Sequence, residues 1–179
     1  MQANLDTSIA LLQSTPDALN GMLRNLPVEW THNNEGGNSW SVFDIVGHLI
    51  HSDLGIWIFR TRWILEHGES QPFPVFDREG HRQLTSGKAL SQLLDEFALI
   101  RAKKLNEVRA MNLTAEDFNR VGKHPVLGAT TIGQVISTWP AHDLNHLHQI
   151  SRVMAYQYRD AVGPMQKFLG VMHCDGHGA

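Results

Sequence analysis

The stretch from Trp40 to His67 constrains the fold most, because its apolar residues cover more than one side of a predicted helix. Ser41 and Asp44 resemble a capping box at its beginning, and Gly68 is a natural end. A helix that is apolar on several sides is typical of the centre of a bundle. The residues that form this surface are Val42, Ile45, Val46, Leu49, Ile50, Leu54, Ile56, Trp57, Ile58, Trp63, Ile64 and Leu65.

Two more long helices are predicted from apolar spacing on either side of this stretch. Residues 4–25 keep roughly helical spacing, although Thr15 and Pro16 predict an interruption after which Thr15 caps a second segment. Apolar residues also recur at helical spacing over about 85–111, with the beginning at residue 85 or 86.

The last long helix is predicted to begin at Thr131 and to reach about Tyr158, with a kink at Pro140. Residues 69–82 are expected to form an irregular, aromatic loop that folds over a pocket, and residues 122–129 also look like a loop. No run of residues alternates convincingly as a strand does. Four long helices around one core therefore predict an all-α four-helix bundle.

Length, charge and composition narrow the class of protein. The 179 residues suit a single domain, and we expect one over 1–179, with a core at about 5–160 and a C-terminal extension at 161–179. A net charge of −3 without a basic run argues against nucleic-acid binding. No membrane span and no signal peptide are expected. The single Cys174 favours a reducing cytoplasm.

The histidines carry the strongest functional signal. His142 and His146 lie four residues apart in W-P-A-H-D-L-N-H-L-H-Q-I, so a helix places them on one face, one turn apart. Two imidazoles in that arrangement can hold one divalent metal ion. His48, on another predicted helix, is the best third ligand, and His51 is its rival.

Other interpretations of these residues remain open on spacing alone. The pair lacks the glutamate of the H-E-x-x-H zinc motif, and ordinary core or surface histidines produce the same spacing. His148 points to another side of the helix and is expected to pack or face solvent. The tail residues His173, Cys174 and His177 have metal-ligating side chains, but a flexible tail explains them better.

Three carboxylates lie close to these histidines in the sequence. Asp44, one turn before His48, is a candidate to hold that ring by a hydrogen bond, and Asp53 is a weaker one. Asp143 points about 100° away from His142 and is a poor candidate for a base. The sequence therefore offers no convincing general base.

Two motifs together resemble the DinB-like superfamily: W-S-V-F-D-I-V-G-H-L on the second long helix and G-A-T-T-I-G-Q-V-I-S-T-W-P-A-H-D-L-N-H-L-H-Q-I on the last. The similarity in layout covers roughly residues 5–160. It implies a four-helix bundle of up-down-down-up order with a long crossover connection. It also implies a divalent metal, zinc or nickel, bound by three histidines, which correspond here to His48, His142 and His146.

Three neutral imidazoles leave a metal position open, as in catalytic sites. The expected function is hydrolysis by a metal-bound water, whose pKa the metal lowers toward ~7. One alternative is a thiol-dependent S-transferase or isomerase at the same site, with a low-molecular-weight thiol as a partner of the unknown small-molecule substrate. Another is a non-enzymatic, metal-stabilised module for binding or dimerisation. A homodimer is expected, paired through Trp57, Phe59 and Trp63 unless these belong to the core.

Overall fold

The computed structural model describes residues 4–173, most of which form helices. A β-hairpin pairs β1 (Val121–His124) with β2 (Gly128–Thr131) in antiparallel register, and two 3₁₀ turns follow the last helix, at Gly163–Phe168 and Gly170–Met172. The helices in chain order are α1 (Leu5–Leu23), α2 (Val28–His32), α3 (Val42–Gly55), α4 (Trp57–His67), α5 (His81–Thr85), α6 (Leu90–Ala110), α7 (Ala115–Asn119) and α8 (Ile132–Tyr156).

The long helices form a four-helix bundle in which chain neighbours are not all packing neighbours. Both α1 and α3 pack against α6 and α8, so α1 and α3 occupy opposite corners of the bundle. Consecutive long helices at opposite corners require a long connection across one end. The predicted all-α four-helix bundle, with its up-down-down-up order and crossover connection, is confirmed.

The predicted central helix is present but is divided at one residue. Ile56 leaves the regular helical conformation, at φ −110° and ψ −69°, and separates α3 from α4. The break is local, because the Ile56 N–H still donates to the Ser52 carbonyl at 2.9 Å. The capping box of Ser41 and Asp44 is confirmed, and Gly68 ends α4 at φ 56°.

The same central stretch is long and apolar enough to be compared with a membrane-spanning helix. Residues Val42–His67 have the length and mean hydropathy, 1.3, of a helix that could cross a membrane. However, 67% of their most apolar window is buried within the bundle, which is the behaviour of a core helix.

Residues 121–131 form a hairpin, so the prediction of a loop at 122–129 is wrong. The hairpin packs closely on α4, and a Cβ on Gly122 would lie 2.5 Å from the Ile64 side chain. The Phe73 N–H donates to the Lys123 carbonyl at 2.9 Å and ties the hairpin to the loop after α4. These strands are too short to show an alternating pattern in the sequence.

Helix α6 begins at Leu90 rather than at residue 85 or 86, because the preceding residues form the separate short helix α5. Gly87, at φ 75°, lies between the two helices in a conformation that few other residues adopt.

Helix α1 continues through Pro16, so the predicted interruption and the Thr15 cap are wrong. Proline has no N–H, so the Leu12 carbonyl, four residues earlier, loses its usual helical donor. In the structure the guanidinium of Arg101 donates to that carbonyl at 3.0 Å. A donor from another helix thus replaces the bond that Pro16 removes.

Arg101 of α6 joins all four long helices although only 1% of its surface is exposed. Its Nε lies 2.7 Å from Oδ2 of Asp53 on α3, and its Nη1 lies 2.5 Å from Oδ2 of Asp143 on α8. Trp139 Nε1 donates to Asp53 Oδ1 at 2.8 Å, and Leu12 supplies the contact with α1. We call Arg101, Asp53 and Asp143 the ion cluster.

The ion cluster divides the apolar core into two parts. Along α6, Phe97 belongs to one buried apolar cluster and Leu105 to the other, with Arg101 between them. Along α8, Trp139 and Ile150 belong to different clusters in the same way, on either side of Asp143. The bundle therefore has a polar layer across its middle, and this layer continues into the histidines described below.

The aromatic residues predicted for dimerisation do not share one exposed surface. Trp57 is only 3% exposed and stacks on Trp139, with 5.9 Å between ring centroids, so it belongs to the core. Phe59 is 40% exposed and packs on Trp63, which in turn contacts His67. A dimer interface through Trp57 is therefore wrong, and a homodimer by another surface stays a prediction.

We expect Arg101→Met to lower the free energy of unfolding by about 3–5 kcal/mol, because two buried carboxylates then lack their counter-ion. Urea denaturation followed by circular dichroism measures the change. The matched control is Arg109→Met, on the exposed face of the same helix, which should stay within about 0.5 kcal/mol of the wild type. Equal losses in the two variants would contradict a central role for Arg101.

Candidate metal centre

Three histidine rings from two helices converge on one point in the structure. His48 Nε2 on α3 lies 3.3 Å from His142 Nε2 on α8, and His146 Nε2 lies 3.1 Å from the same atom. One ligand atom from each ring lies within 4.8 Å of the others. His48 and His146 are buried, and His142 is partly buried. The structure thus brings together the three residues singled out in the sequence.

The spacing of these nitrogens fits a small divalent cation. A tetrahedral ion with metal–nitrogen bonds of about 2.0–2.1 Å separates its ligand atoms by about 3.3 Å. The Nε2 separations of 3.3 Å and 3.1 Å agree with that value. Mutual hydrogen bonds cannot satisfy all three ring nitrogens, because each neutral nitrogen only donates or only accepts. The Ser52 hydroxyl, 3.3 Å from His48 Nε2, is one further donor to the cluster. A cation would satisfy all three lone pairs at once.

Gln149 fixes the orientation of one ring. His146 Nδ1 donates to Gln149 Oε1 at 2.8 Å, which places the ring proton on Nδ1 and leaves the Nε2 lone pair facing the other histidines. Sequence reasoning gave Gln149 no role, although its spacing of three from His146 places both on one helix face. Among residues 4–173, His48 Nδ1 and His142 Nδ1 have no hydrogen-bond partner.

Burial keeps two of the rings neutral. Burial, together with the neighbouring histidines, lowers the pKa of His48 to about 3 and that of His142 to about 2. Metal ions bind the neutral form of imidazole. At neutral pH these two rings therefore bind without first releasing a proton.

Two tryptophans form walls beside the histidines. The Trp40 ring lies 4.6 Å from the His48 ring, and the Trp57 ring lies 5.1 Å from the His142 ring, measured between centroids. These contacts exclude water from one side of each imidazole and limit its rotation. Pro140 lies inside α8, yet the helix continues through it and His142 and His146 stay adjacent.

The carboxylates proposed to hold His48 have other partners, so both assignments are wrong. Asp44 caps its own helix through Ser41 and lies 3.8 Å from His81 Nε2. Partial burial opposes ionisation of Asp44, but His81 and Ser41 outweigh it and lower its pKa. Asp53 faces Arg101 in the ion cluster. Asp143 also faces Arg101, which confirms that it points away from the histidines.

The rival histidines are not part of the cluster. His51 Nε2 lies 2.9 Å from the Asp77 carbonyl, and His148 is not among the three rings that meet. His173 Nε2 lies 2.8 Å from the Gln166 carbonyl, whereas Cys174 and His177 lie outside the described residues. These contacts leave His48, His142 and His146 as the cluster within residues 4–173.

His81 is a buried residue near the site that sequence reasoning left without a role. It is fully buried, its Nδ1 donates to the Arg78 carbonyl at 2.9 Å, and its ring lies 6.1 Å from that of His48. Its position between Asp44 and Trp40 makes it part of the support beneath His48.

A pocket of about 960 Å³ opens onto the three histidines. Its wall includes Val75, Phe76 and Arg78, which confirms that the loop 69–82 folds over a pocket. The tip of the hairpin forms another part, through Pro125 and Val126. The pocket is large enough for a small organic molecule to reach the histidines.

A family model for the DinB superfamily matches residues 11–150, which is most of the chain and includes all three histidines. The protein therefore belongs to the DinB superfamily.

One solved structure with the same fold is YfiT from Bacillus subtilis, described as a probable metal-dependent hydrolase with an unusual four-helix bundle topology. The two structures superpose with a TM-score of 0.69 at 20% sequence identity, and the match covers 88% of this chain and 87% of YfiT. At this identity the likeness establishes the fold alone. No curated protein matches this chain significantly.

We expect the metal-free protein to lose stability as the pH falls below about 6.5. The unfolded chain protonates His48 and His142 near 6.5, whereas the folded chain does so only near 3 and 2. The unfolded state thus binds more protons in this range, so acid favours unfolding. Each histidine contributes up to ~1.4 kcal/mol per pH unit below 6.5.

Urea denaturation of chelator-treated wild type and His142→Gln at pH 7.5, 6.5 and 5.5 tests this expectation. The variant should show a shallower loss of stability with acid. Burial raises the pKa of Asp53 to about 6, so this group gains its proton in the folded chain first and opposes the loss of stability in acid. Both proteins contain Asp53, so its contribution cancels when they are compared. The same pH dependence in both proteins would show that His142 is not held neutral.

Proposed function

We propose that this protein is a metal-dependent hydrolase that holds one divalent cation, zinc or nickel, through His48, His142 and His146. The main support is the geometry of the histidine cluster beside the pocket. The Nε2 atom of His142 lies 3.3 Å from that of His48 and 3.1 Å from that of His146. Membership of the DinB superfamily and the description of YfiT support it. A cytoplasmic location stays a prediction.

The chain's own residues would prepare the site in three ways. Gln149 holds the His146 proton on Nδ1, so that Nε2 is available as a ligand. Burial keeps His48 and His142 neutral. Trp40 and Trp57 restrict the rings, so that little ordering is needed when a cation binds.

When bound, a divalent cation with three histidine ligands supplies a Lewis acid and activates water near neutral pH. Among the described residues that line the pocket, Glu79 is the carboxylate, and it is engaged by Arg82 at 2.6 Å and by Trp40 Nε1 at 3.2 Å. These contacts lower the pKa of Glu79 and make it a weak base. Glu79 is therefore a poor candidate for a separate general base.

Protein prepared without a histidine tag and loaded with zinc or nickel should contain about one metal ion per chain. His142→Ala should abolish this binding, because two imidazoles rarely hold such an ion alone. His148→Ala, two residues from a ligand on the same helix, is the matched control and should keep its metal. Elemental analysis after dialysis measures the content. Wild type that stays metal-free, or equal loss in both variants, rules the proposal out.

Zinc-loaded wild type should hydrolyse members of a panel of esters and amides without added thiol, and His142→Ala should lose this activity while His148→Ala keeps it. The panel is run with and without a low-molecular-weight thiol. Turnover only in the presence of thiol would replace the hydrolase by the S-transferase. Bound metal with no turnover, combined with a large fall in melting temperature on chelation, would identify a structural metal.

A further inference from the structure

The wall of the pocket carries an excess of positive charge, although the whole chain has a net charge of −3. Arg60, Arg78 and Arg152 line the pocket, and Glu79 is the carboxylate among its described lining residues. Arg152 and Glu79 each form an ion pair with a residue outside this wall. Within residues 4–173, Arg60 and Arg78 form no ion pair with a carboxylate, and a bound divalent cation would add to the excess.

Arg60 is the better placed of these two cations. It is half-buried on α4, and its guanidinium lies over the Phe73 ring at 5.4 Å. Burial lowers its pKa, which reflects the removal of water from a charge with no counter-ion beside it. Arg78 is exposed and lies over the Trp40 ring at 5.6 Å, at the rim of the pocket. An anion would restore to Arg60 the interactions that burial removes.

The position of Arg60 relates it to the histidines. It lies one helical turn after Ile56, which lines the same pocket, on the helix whose Trp57 packs against His142. Apolar side chains, among them Phe76 and Val126, line the pocket as well. One ligand can therefore contact the guanidinium, the apolar wall and the histidines within a single cavity.

We propose that the substrate carries an anionic group, a carboxylate or a phosphate, that Arg60 binds, and an apolar body that places its reacting group at the three histidines. This inference rests on the proposed function, because the bound anion belongs to the molecule that reacts there. A guanidinium donates two parallel hydrogen bonds to either group, which makes such contacts stronger and more specific than a single bond.

Benzoate and phenyl phosphate are suitable probes, and benzamide is their uncharged counterpart, since all three share one aromatic ring. Isothermal titration calorimetry measures their affinity for metal-free and zinc-loaded protein. We expect both anions to bind metal-free wild type at least about tenfold more tightly than benzamide does, and Arg60→Gln to remove this preference. Arg60→Lys should bind the anions with intermediate affinity, because it keeps the charge but not the paired donors.

The matched control is Arg62→Gln, on the same helix but 61% exposed and paired with Glu107 outside the pocket. It should bind all three probes as the wild type does. An unchanged preference in Arg60→Gln, or equal affinity of wild type for benzoate and benzamide, overturns the proposal. If circular dichroism shows that Arg60→Gln is unfolded, Arg60→Lys and the comparison of probes on wild type decide the question.

The metal content of each variant separates this inference from the proposed function. Anion preference that depends on Arg60 in a protein that binds no metal would support the anion site and refute the hydrolase. One metal per chain without that preference would overturn the anion site and leave the metal centre standing. Testing metal-free protein also excludes direct binding of the anions to zinc as the source of the preference.

Discussion

The buried guanidinium of Arg101 is the interaction on which the rest of this structure depends. A charge in a protein interior is unfavourable unless it is paired and fully hydrogen-bonded. Arg101 meets this condition only when Asp53, Asp143 and the Leu12 carbonyl come from three other helices to surround it. Purely apolar surfaces tolerate small shifts of one helix along another, whereas these directed contacts do not. The ion cluster therefore specifies the relative positions of the four long helices.

The ion cluster also determines where the histidines lie, because its aspartates are close to them in the sequence. Asp143 enters the ion cluster from the residue directly after His142, so one turn of α8 serves both sites. Asp53 likewise lies on α3, near the helical turn that carries His48. With α3 and α8 fixed on either side of Arg101, the His142 Nε2 atom lies 3.3 Å from that of His48 and 3.1 Å from that of His146. Such preorganisation is what a metal site with one open position requires.

The fold and the cluster were predictable from signals that are local or periodic. Helical spacing gave the long helices, and the spacing of His142 and His146, with the resemblance in motif, led to His48. Arg101 was missed because a single arginine in an amphipathic helix looks like a surface residue, and nothing local reveals the two aspartates that face it. The interruption of α1 predicted at Pro16 is wrong for the same reason. The donor that replaces the missing N–H of Pro16 comes from Arg101, which is distant in sequence. The contacts of Asp53 with Arg101 and of Asp44 with His81 are likewise distant in sequence, whereas the hairpin was missed because its strands are too short to show an alternating pattern.

The central claim is that three imidazole nitrogens from two helices bind one cation. X-ray absorption at the zinc edge of zinc-loaded protein tests it most directly. We expect three histidine nitrogens at about 2.0–2.1 Å from the zinc ion. If a variant without His48 still binds zinc, its spectrum should show one histidine fewer. A zinc environment with a sulfur ligand, or one unchanged by that substitution, would contradict the account.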